Sequence, residues 1–310
     1  MAITDTPRGV LAAVSEELAS AVDRAARAVV TVHARRRLPA SGVVWREGGV
    51  IVTADHVLER EEDITVSLAD DERRPATIVG RDPGSDIGVL RLADPAFPPA
   101  DFAPADSVKV GHLVLALGSG SAAGAGHVMA SFGVVSALGS SWRTARGGVV
   151  EGYIRADLAL YPGFSGGPLV DTQGRVAGIN SSALARGQGV AIPASAVTSV
   201  VETLLVQGKI RRGYLGVTSQ PVRLPAELQA KLGMQQESGL LLLAVESGSP
   251  AASAGLLMGD VLVSLGGQTV SDAQDLQGAL GPGSVGNATN ATVVRAGERK
   301  DLAVTPSERS

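Results

Sequence analysis

The chain has 310 residues, of which 45% are hydrophobic and 19% charged. That is room for two ordinary domains, with a globular composition and not a disordered one. A net charge of −4 argues against nucleic acid as the main partner, which needs a concentrated basic surface. The absence of cysteine excludes disulfides, thiol nucleophiles and cysteine zinc sites.

The first residues, MAITDTPRGVLAAVSEELASAVDRAARAVV, carry acidic side chains where a secretory leader has an apolar core. No apolar run reaches the roughly 18 residues of a spanning helix. Taken as written, the chain is expected to be cytoplasmic and without a membrane span, and extracytoplasmic if a leader has been removed. Within that segment Leu11, Val14, Leu18, Val22 and Ala25 recur at spacings of three and four, which predicts an amphipathic helix over 10–27.

From Ala28 to about Ile192 the pattern changes to short β-rich runs broken by Gly, Pro, Asp and Ser: AVVTVHA, SGVVW, GVIVTA, ITVSL, IGVLRL, HLVLALGS, FGVVSAL, GGPLV, GRVAGIN and GVAIP. Such spacing predicts an all-β sandwich or barrel rather than βαβ units. Arg35-Arg36-Arg37 reads as a solvated hairpin tip. Val197, Val200, Val201, Leu204 and Leu205 then lie on one helical face, with Gly208 as the C-cap. The polar stretch 209–213 reads as a linker. Beyond it YLGV, GLLLLAVE, DVLVSLGGQTV and ATVVRAG read as strands, and SDAQDLQGAL (271–280) as a helix capped by Ser271 or Asp272. The expected organisation is a helical segment at 1–27, a β domain at 28–208, a linker at 209–213 and a small α+β domain at 214–308.

The sharpest chemical signal is Gly163-Phe164-Ser165-Gly166-Gly167-Pro168-Leu169. A serine hydroxyl becomes a useful nucleophile only when a base takes its proton and donors stabilise the oxyanion. Gly163 permits a turn that points the N–H groups of Gly163 and Ser165 into one hole. Gly166 and Gly167 are expected to clear the space before Ser165. Taken alone, the segment is equally a glycine-rich turn. His56, one of four histidines, follows the apolar strand GVIVTA, and Asp86 directly precedes IGVLRL. An Asp entering a core needs a partner, and an imidazole N–H is one. Histidine, aspartate and serine stand in the chain order of chymotrypsin, not of subtilisin or the α/β hydrolases. His56 is then the general base and later the acid, and Asp86 orients it.

The segments TADHV, DIGVL and PGFSGGPLV resemble the three catalytic signatures of the bacterial HtrA (Deg) proteases. VVSAL, GRVAGIN, GVAIP and RRGYLGV resemble further landmarks of that family, in order. GLLLLAVESGSPAASAGLLMGDVLVSLGGQTVSD resembles its PDZ module. The resemblance implies a mainly β protein: a chymotrypsin-like double β-barrel protease domain followed by one α+β PDZ domain. It further implies an oxyanion hole from the N–H groups of Gly163, Phe164 and Ser165. Leu160, Ile179 and Asn180 line an apolar substrate pocket that favours small or medium aliphatic side chains. Tyr214, Leu215, Gly216 and Val217 hold the carboxylate of a C-terminal peptide added as a strand. No cofactor or metal is implied, and the expected partners are unfolded proteins, C-terminal peptides and two further copies in a homotrimer.

Three positions depart from the family pattern. Phe164 stands where an Asn is usual, Asp55 where a neutral residue is usual, and Tyr161 where a polar one is. The reading of another class is a catalytically idle PDZ-containing peptide-binding or chaperone-like protein. Elsewhere, GSGSAAGAG (118–126) lacks the Lys and following helix of a phosphate loop. The sequons at Asn287 and Asn290 read as turn residues.

Overall fold

A computed structural model describes residues 9–36, 38–68, 72–93, 97–119, 128–143, 149–184, 189–281 and 283–308. Arg37 and residues 120–126 of the glycine-rich run therefore lie outside the described residues. The chain divides into two compact units, with the boundary between Lys209 and Ile210.

The first unit opens with helix α1 (Val10–Ala26), followed by β1 (Val29–His33), β2 (Ala40–Arg46), β3 (Val50–Ala54), β4 (Ile64–Ser67), β5 (Arg74–Asp82) and β6 (Ile87–Leu92). These six close into a barrel in the order β1-β2-β3-β6-β5-β4. Their β-branched and Leu side chains, among them Val30, Val32, Val44, Ile51, Val66 and Leu90, make one buried core. Each such side chain contributes about 1.5–3 kcal/mol on leaving water.

A second barrel follows from β7 (Leu113–Ser119) and β8 (Val128–Gly139). After the short pair β9 (Trp142–Arg143) and β10 (Val149–Val150) come β11 (Tyr153–Asp157), β12 (Pro168–Asp171), β13 (Val176–Ser181) and β14 (Gly189–Pro193). The closed order is β11-β14-β13-β12-β7-β8. Helix α2 (Ala194–Gln207) packs on β5, β6 and β13 and stops at Gly208, whose φ of 71° needs glycine. The expected helix and C-cap are found in place.

Helix α1 forms, but its predicted apolar face is only half used. Ala21 and Ala25 are buried, whereas Leu11 is 86% exposed. Its C-terminal end is held where Arg24 Nε donates to the Gln173 carbonyl (2.9 Å) and Gly174 abuts the Ala21 carbonyl. Arg35 is likewise not a free solvated tip, since it donates to the His56 carbonyl (3.4 Å) and meets Glu59 (3.3 Å).

The second unit begins with β15 (Gly213–Tyr214), so its first strand takes the last residue of the expected linker. It continues with β16 (Val217–Arg223), α3 (Ala226–Leu232), β17 (Ser238–Val245), α4 (Pro250–Ser253), β18 (Val261–Leu265), β19 (Gln268–Thr269), α5 (Ala273–Ala279), β20 (Thr289–Arg295), β21 (Glu298–Val304) and β22 (Ser307–Glu308). The main sheet runs β16-β17-β18-β20-β21, over a core of Leu240, Leu242, Leu256, Leu262 and Val293. Asp272 caps α5 by accepting from Asp275 N–H (2.9 Å). Asn290 is a strand residue and not a turn one, and Thr292 of its sequon is buried.

The segment SPAASAGLLMGD is explained by two side chains. Ser249 caps α4, accepting from Ala252 N–H (3.2 Å), with Pro250 at the first helical position. Asp260 then closes the turn, accepting from Leu257 N–H (2.8 Å) and from Arg295 Nε (2.6 Å). Burial alone pushes the Asp260 carboxyl up, but the Arg295 hydrogen bond, the Leu257 N–H and the charges of Arg295 and Lys300 together hold it below the usual carboxylate value. The unfolded chain therefore binds the proton first as pH falls. The stabilisation is complete above about pH 4, the unfolded carboxylate value, and is lost as pH falls through the lower folded value. Asp260→Asn is expected to cost this unit about 1–2 kcal/mol, because it removes the charge from the hydrogen bonds of Arg295, which is partly exposed and keeps the Gly255 carbonyl. Hydrogen exchange in β18 and β20 of the full chain measures this, and the variant is expected to lose part of the acid dependence.

Candidate active site

His56 lies in a single 3₁₀ turn, Asp55–Val57, that ends β3. Asp86 sits between β5 and β6, and two features aim it. Asp82, not Asp86, caps the preceding turn by accepting from the N–H groups of Gly84 (3.1 Å) and Ser85 (3.0 Å). Asp86 itself has φ of 60°, a left-handed conformation that Asp tolerates better than most residues. Its carboxylate is fully buried and is met on all sides. It accepts from His56 N–H (2.9 Å), from His56 Nδ1 (2.8 Å to Oδ2) and from Ser181 Oγ (2.5 Å). A buried carboxylate with three donors holds the imidazole in one orientation, with the proton on Nδ1 and Nε2 directed away.

Asp55 neither points to solvent nor confronts His56 with an open charge. It is buried, and Arg81 Nε donates to it at 2.7 Å. The additional carboxylate arrives with its own cation.

Ser165 follows the turn made by Gly163, whose φ is 99°. Ser41 of β2 fastens this turn: its Oγ donates to the Gly163 carbonyl (2.6 Å), and its N–H donates to the Ser165 carbonyl (3.1 Å). With that carbonyl tied back, the N–H groups of Gly163 and Ser165 find no acceptor among the described residues. They are a ready pair of donors for an oxyanion. Phe164 is a correction to the expected hole. Its N–H donates to the Tyr161 carbonyl (3.0 Å) and so is already spent. Its ring does not disturb the turn either, because it is fully buried in the second barrel. There it meets Tyr161 edge-on at 5.6 Å and occupies room left by Gly118.

The glycines after Ser165 serve a purpose other than the expected one. A methyl at Gly166 would overlap the Ser41 carbonyl and Thr53 Oγ1, and one at Gly167 would overlap the Leu117 carbonyl. Gly166 lets the backbone of the serine turn lie against the first barrel, and Gly167 lets it lie against β7 of its own barrel, rather than clearing space on the solvent side.

The pocket expectation also changes. Asn180 is 1% exposed, and its Nδ2 donates to the Pro168 carbonyl (2.8 Å), so it braces β12 and does not face a substrate. Ile179 is fully buried and offers no open wall. Leu160 alone of the three keeps partial exposure, packed beside the core that holds Phe164. Residues 185–188, between β13 and β14 in the chain, lie outside the described residues.

Sequence reasoning passed over Ser41, Arg81, Ser181 and Ser182. The Oγ atoms of Ser182 and Ser165 are 2.8 Å apart, and Ser182 N–H donates to Ser165 Oγ (3.3 Å). A serine gives no periodic or compositional signal of such a role. The resemblance of GRVAGIN to a family landmark stops one residue short of Ser181.

In the second unit, β16 is paired on one side only among the described residues and flanked by α5. The Leu215 carbonyl accepts from Ala251 N–H (2.9 Å) and the Gly216 carbonyl from Glu246 N–H (2.9 Å). Gly216 has φ of 79°, and the N–H groups of Leu215 and Gly216 have no acceptor among the described residues. Tyr214 donates its hydroxyl to Glu246. Leu215 is buried and Val217 half-buried.

Among the described residues no cluster of side chains is suited to hold a metal, and no helix is long and apolar enough to cross a membrane. Two family models match the chain: a trypsin-like peptidase domain over residues 40–179 and a PDZ domain over 213–305. A probable periplasmic serine endoprotease, DegP-like, from Pseudomonas fulva is 36% identical over 85% of this chain and 54% of its own length. A protein of the same description from Halomonas elongata is 37% identical over 87% of this chain and 56% of its own. The chain thus spans about half the length of these curated relatives. Their description as periplasmic lends no support to the expected cytoplasmic location. The serine endoprotease from Yersinia pestis has a TM-score of 0.74 at 27% identity, covering 99% of this chain and 100% of its own. An HtrA-type protease, AlgW, solved as a serine-to-alanine variant with a tripeptide, has a TM-score of 0.74 at 30% identity over 94% of this chain and 97% of its own. Two barrels, a PDZ unit and 30% identity along nearly the full length of both chains place this protein in the HtrA-type serine protease family.

Proposed function

We propose that the chain is a serine endopeptidase that cleaves unfolded or damaged proteins through an acyl-enzyme, with a PDZ domain that holds C-terminal peptides. The observation that carries this is the buried Asp86 carboxylate fixing His56 Nδ1 at 2.8 Å, in the same unit as a serine turn with two N–H groups that have no acceptor among the described residues.

In this reading His56 Nε2 takes the Ser165 Oγ proton as Oγ attacks the scissile carbonyl. The new oxyanion is received by the N–H groups of Gly163 and Ser165. His56 then gives the proton to the departing amine, and water repeats the sequence to release the acyl group. Ser181, through its 2.5 Å donation to Asp86, is a positioning residue for the imidazole. Leu160 gives the substrate pocket an apolar wall, which favours small or medium aliphatic residues before the cut. In the PDZ domain the N–H groups of Leu215 and Gly216, without an acceptor among the described residues, receive a terminal carboxylate, and the edge of β16 left unpaired among those residues receives the peptide as a strand. Pro221, with no N–H to give, limits that pairing toward the far end of β16.

The chain assembles as a homotrimer in this reading, for which the exposed Val10, Leu11 and Val14 of α1 supply uncovered apolar surface. It acts outside the cytoplasm, as the names of its relatives suggest.

A fluorophosphonate is expected to label the wild type, and Ser165→Ala is expected to lose both labelling and cleavage of unfolded casein. A wild type that is neither labelled nor active would establish the idle peptide-binding alternative instead. Asp86→Asn is expected to lower cleavage about 10⁴-fold through the wrong imidazole tautomer. Mass spectrometry of casein fragments should show aliphatic residues before the cut, and a dominant Lys or Arg there contradicts the pocket. At the PDZ domain, a C-terminally amidated peptide should bind about tenfold to a hundredfold more weakly than its free acid, the loss expected for hydrogen bonds to a charged group. Sedimentation of the full chain should give three copies, and a chain begun at Ala28 should give fewer.

A further inference from the structure

Ser165 makes its hydrogen bonds to a residue outside the proposed triad. Its Oγ lies 2.8 Å from Ser182 Oγ and accepts from Ser182 N–H at 3.3 Å. No hydrogen bond joins it to His56 among the described residues, and His56 Nε2 has no partner among them. A hydroxyl has one proton and two acceptor positions. If Ser165 donates to Ser182, the proton that His56 must remove points the wrong way. If Ser182 donates, its hydroxyl and its N–H together fill both acceptor positions of the nucleophile. Either direction blunts Ser165.

The two serines that end β13 therefore have opposite effects. Ser181 is fully buried and braces Asp86, while Ser182 is exposed and holds the nucleophile. Exposure matters because a hydroxyl at the surface can turn to water at little cost when something displaces it.

We propose that Ser182 is a positioning residue that latches Ser165 away from His56 in the resting site, and that an extended peptide occupying the cleft beside Ser182 releases it. This rests on the protease reading above. A small reagent that does not lie along residues 181–183 meets the latch in full. A long peptide pays for release out of its own binding contacts and feels it less.

The test compares the second-order rate of fluorophosphonate labelling with the cleavage of casein in the wild type, Ser182→Ala and Ser182→Thr. Ser182→Ala should raise the labelling rate about threefold to tenfold, the range of one neutral hydrogen bond. Casein cleavage should rise by less, and Ser182→Thr, which keeps the hydroxyl, should label at close to the wild-type rate. Labelling of Ser182→Ala at or below the rate of a labelled wild type overturns the latch and leaves the protease reading standing. Failure of all three chains to label overturns both. A gain in Ser182→Ala with an unchanged melting temperature excludes a merely structural effect.

Discussion

The candidate active site depends on a backbone seam between the two barrels. Ser41 stands at its centre, fully buried, with its N–H on the Ser165 carbonyl and its Oγ on the Gly163 carbonyl. Thr53 Oγ1 in turn donates to the Ser41 carbonyl at 2.7 Å, and Gly166 has no room for a side chain between them. The turn that carries Ser165, the proposed nucleophile, belongs to the second barrel and the imidazole of His56 to the first. Only a contact this close fixes one against the other, because interiors packed to crystal-like density transmit position without slack. The glycines of the serine motif are thus a requirement of packing first and of chemistry second.

Charge is handled with the same economy. Asp86 and Asp55 are both buried within a few residues of the base in space, which would be costly if either lacked donors. Asp86 is satisfied by His56 and Ser181, and Asp55 by Arg81, which also donates to the Asp55 carbonyl at 3.3 Å. The strain of a left-handed Asp86 is of the kind found where function over-determines the backbone. Its benefit is the two-point grip on His56, through the main-chain N–H and through Nδ1.

The fold was legible in the sequence because its signals are periodic or geometric: short strands with regular punctuation, a helix ending at Gly208, an Asp at the start of α5. His56 and Asp86 were legible because each residue type is rare or costly in its setting, Ser165 because glycines flank it on both sides, and the order of the three is informative. What was not legible is direction. Asn180 and Ile179 follow one another in a strand, and nothing in their identity says that both are interior. Phe164 reads as a bulky intruder until Gly118 is seen to leave space for its ring. Ser41, Ser181 and Ser182 are ordinary residues whose importance comes from what tertiary structure brings beside them. Helix α1 shows the converse, an apolar periodicity that this chain by itself only half buries.

The two proposed anion sites share one construction, although they lie in unrelated folds. In each, a glycine at positive φ turns the chain so that a pair of N–H groups is left without an acceptor among the described residues, Gly163 and Ser165 in one and Leu215 and Gly216 in the other, and neighbouring carbonyls are tied back. Ser41 does the tying at Gly163, while Glu246 and Ala251 N–H groups do it at Gly216 and Leu215. Backbone donors fixed in this way need no reorganisation when the negative oxygen arrives. The difference lies in the charge each would meet. A terminal carboxylate is charged before it binds, so the PDZ site can select it in the ground state. An oxyanion exists only after Ser165 has attacked, so the hole lowers a barrier without holding the substrate. An enzyme whose donors stand ready at all times has reason to restrain its nucleophile instead, and the hydroxyl of Ser182 sits where such restraint acts.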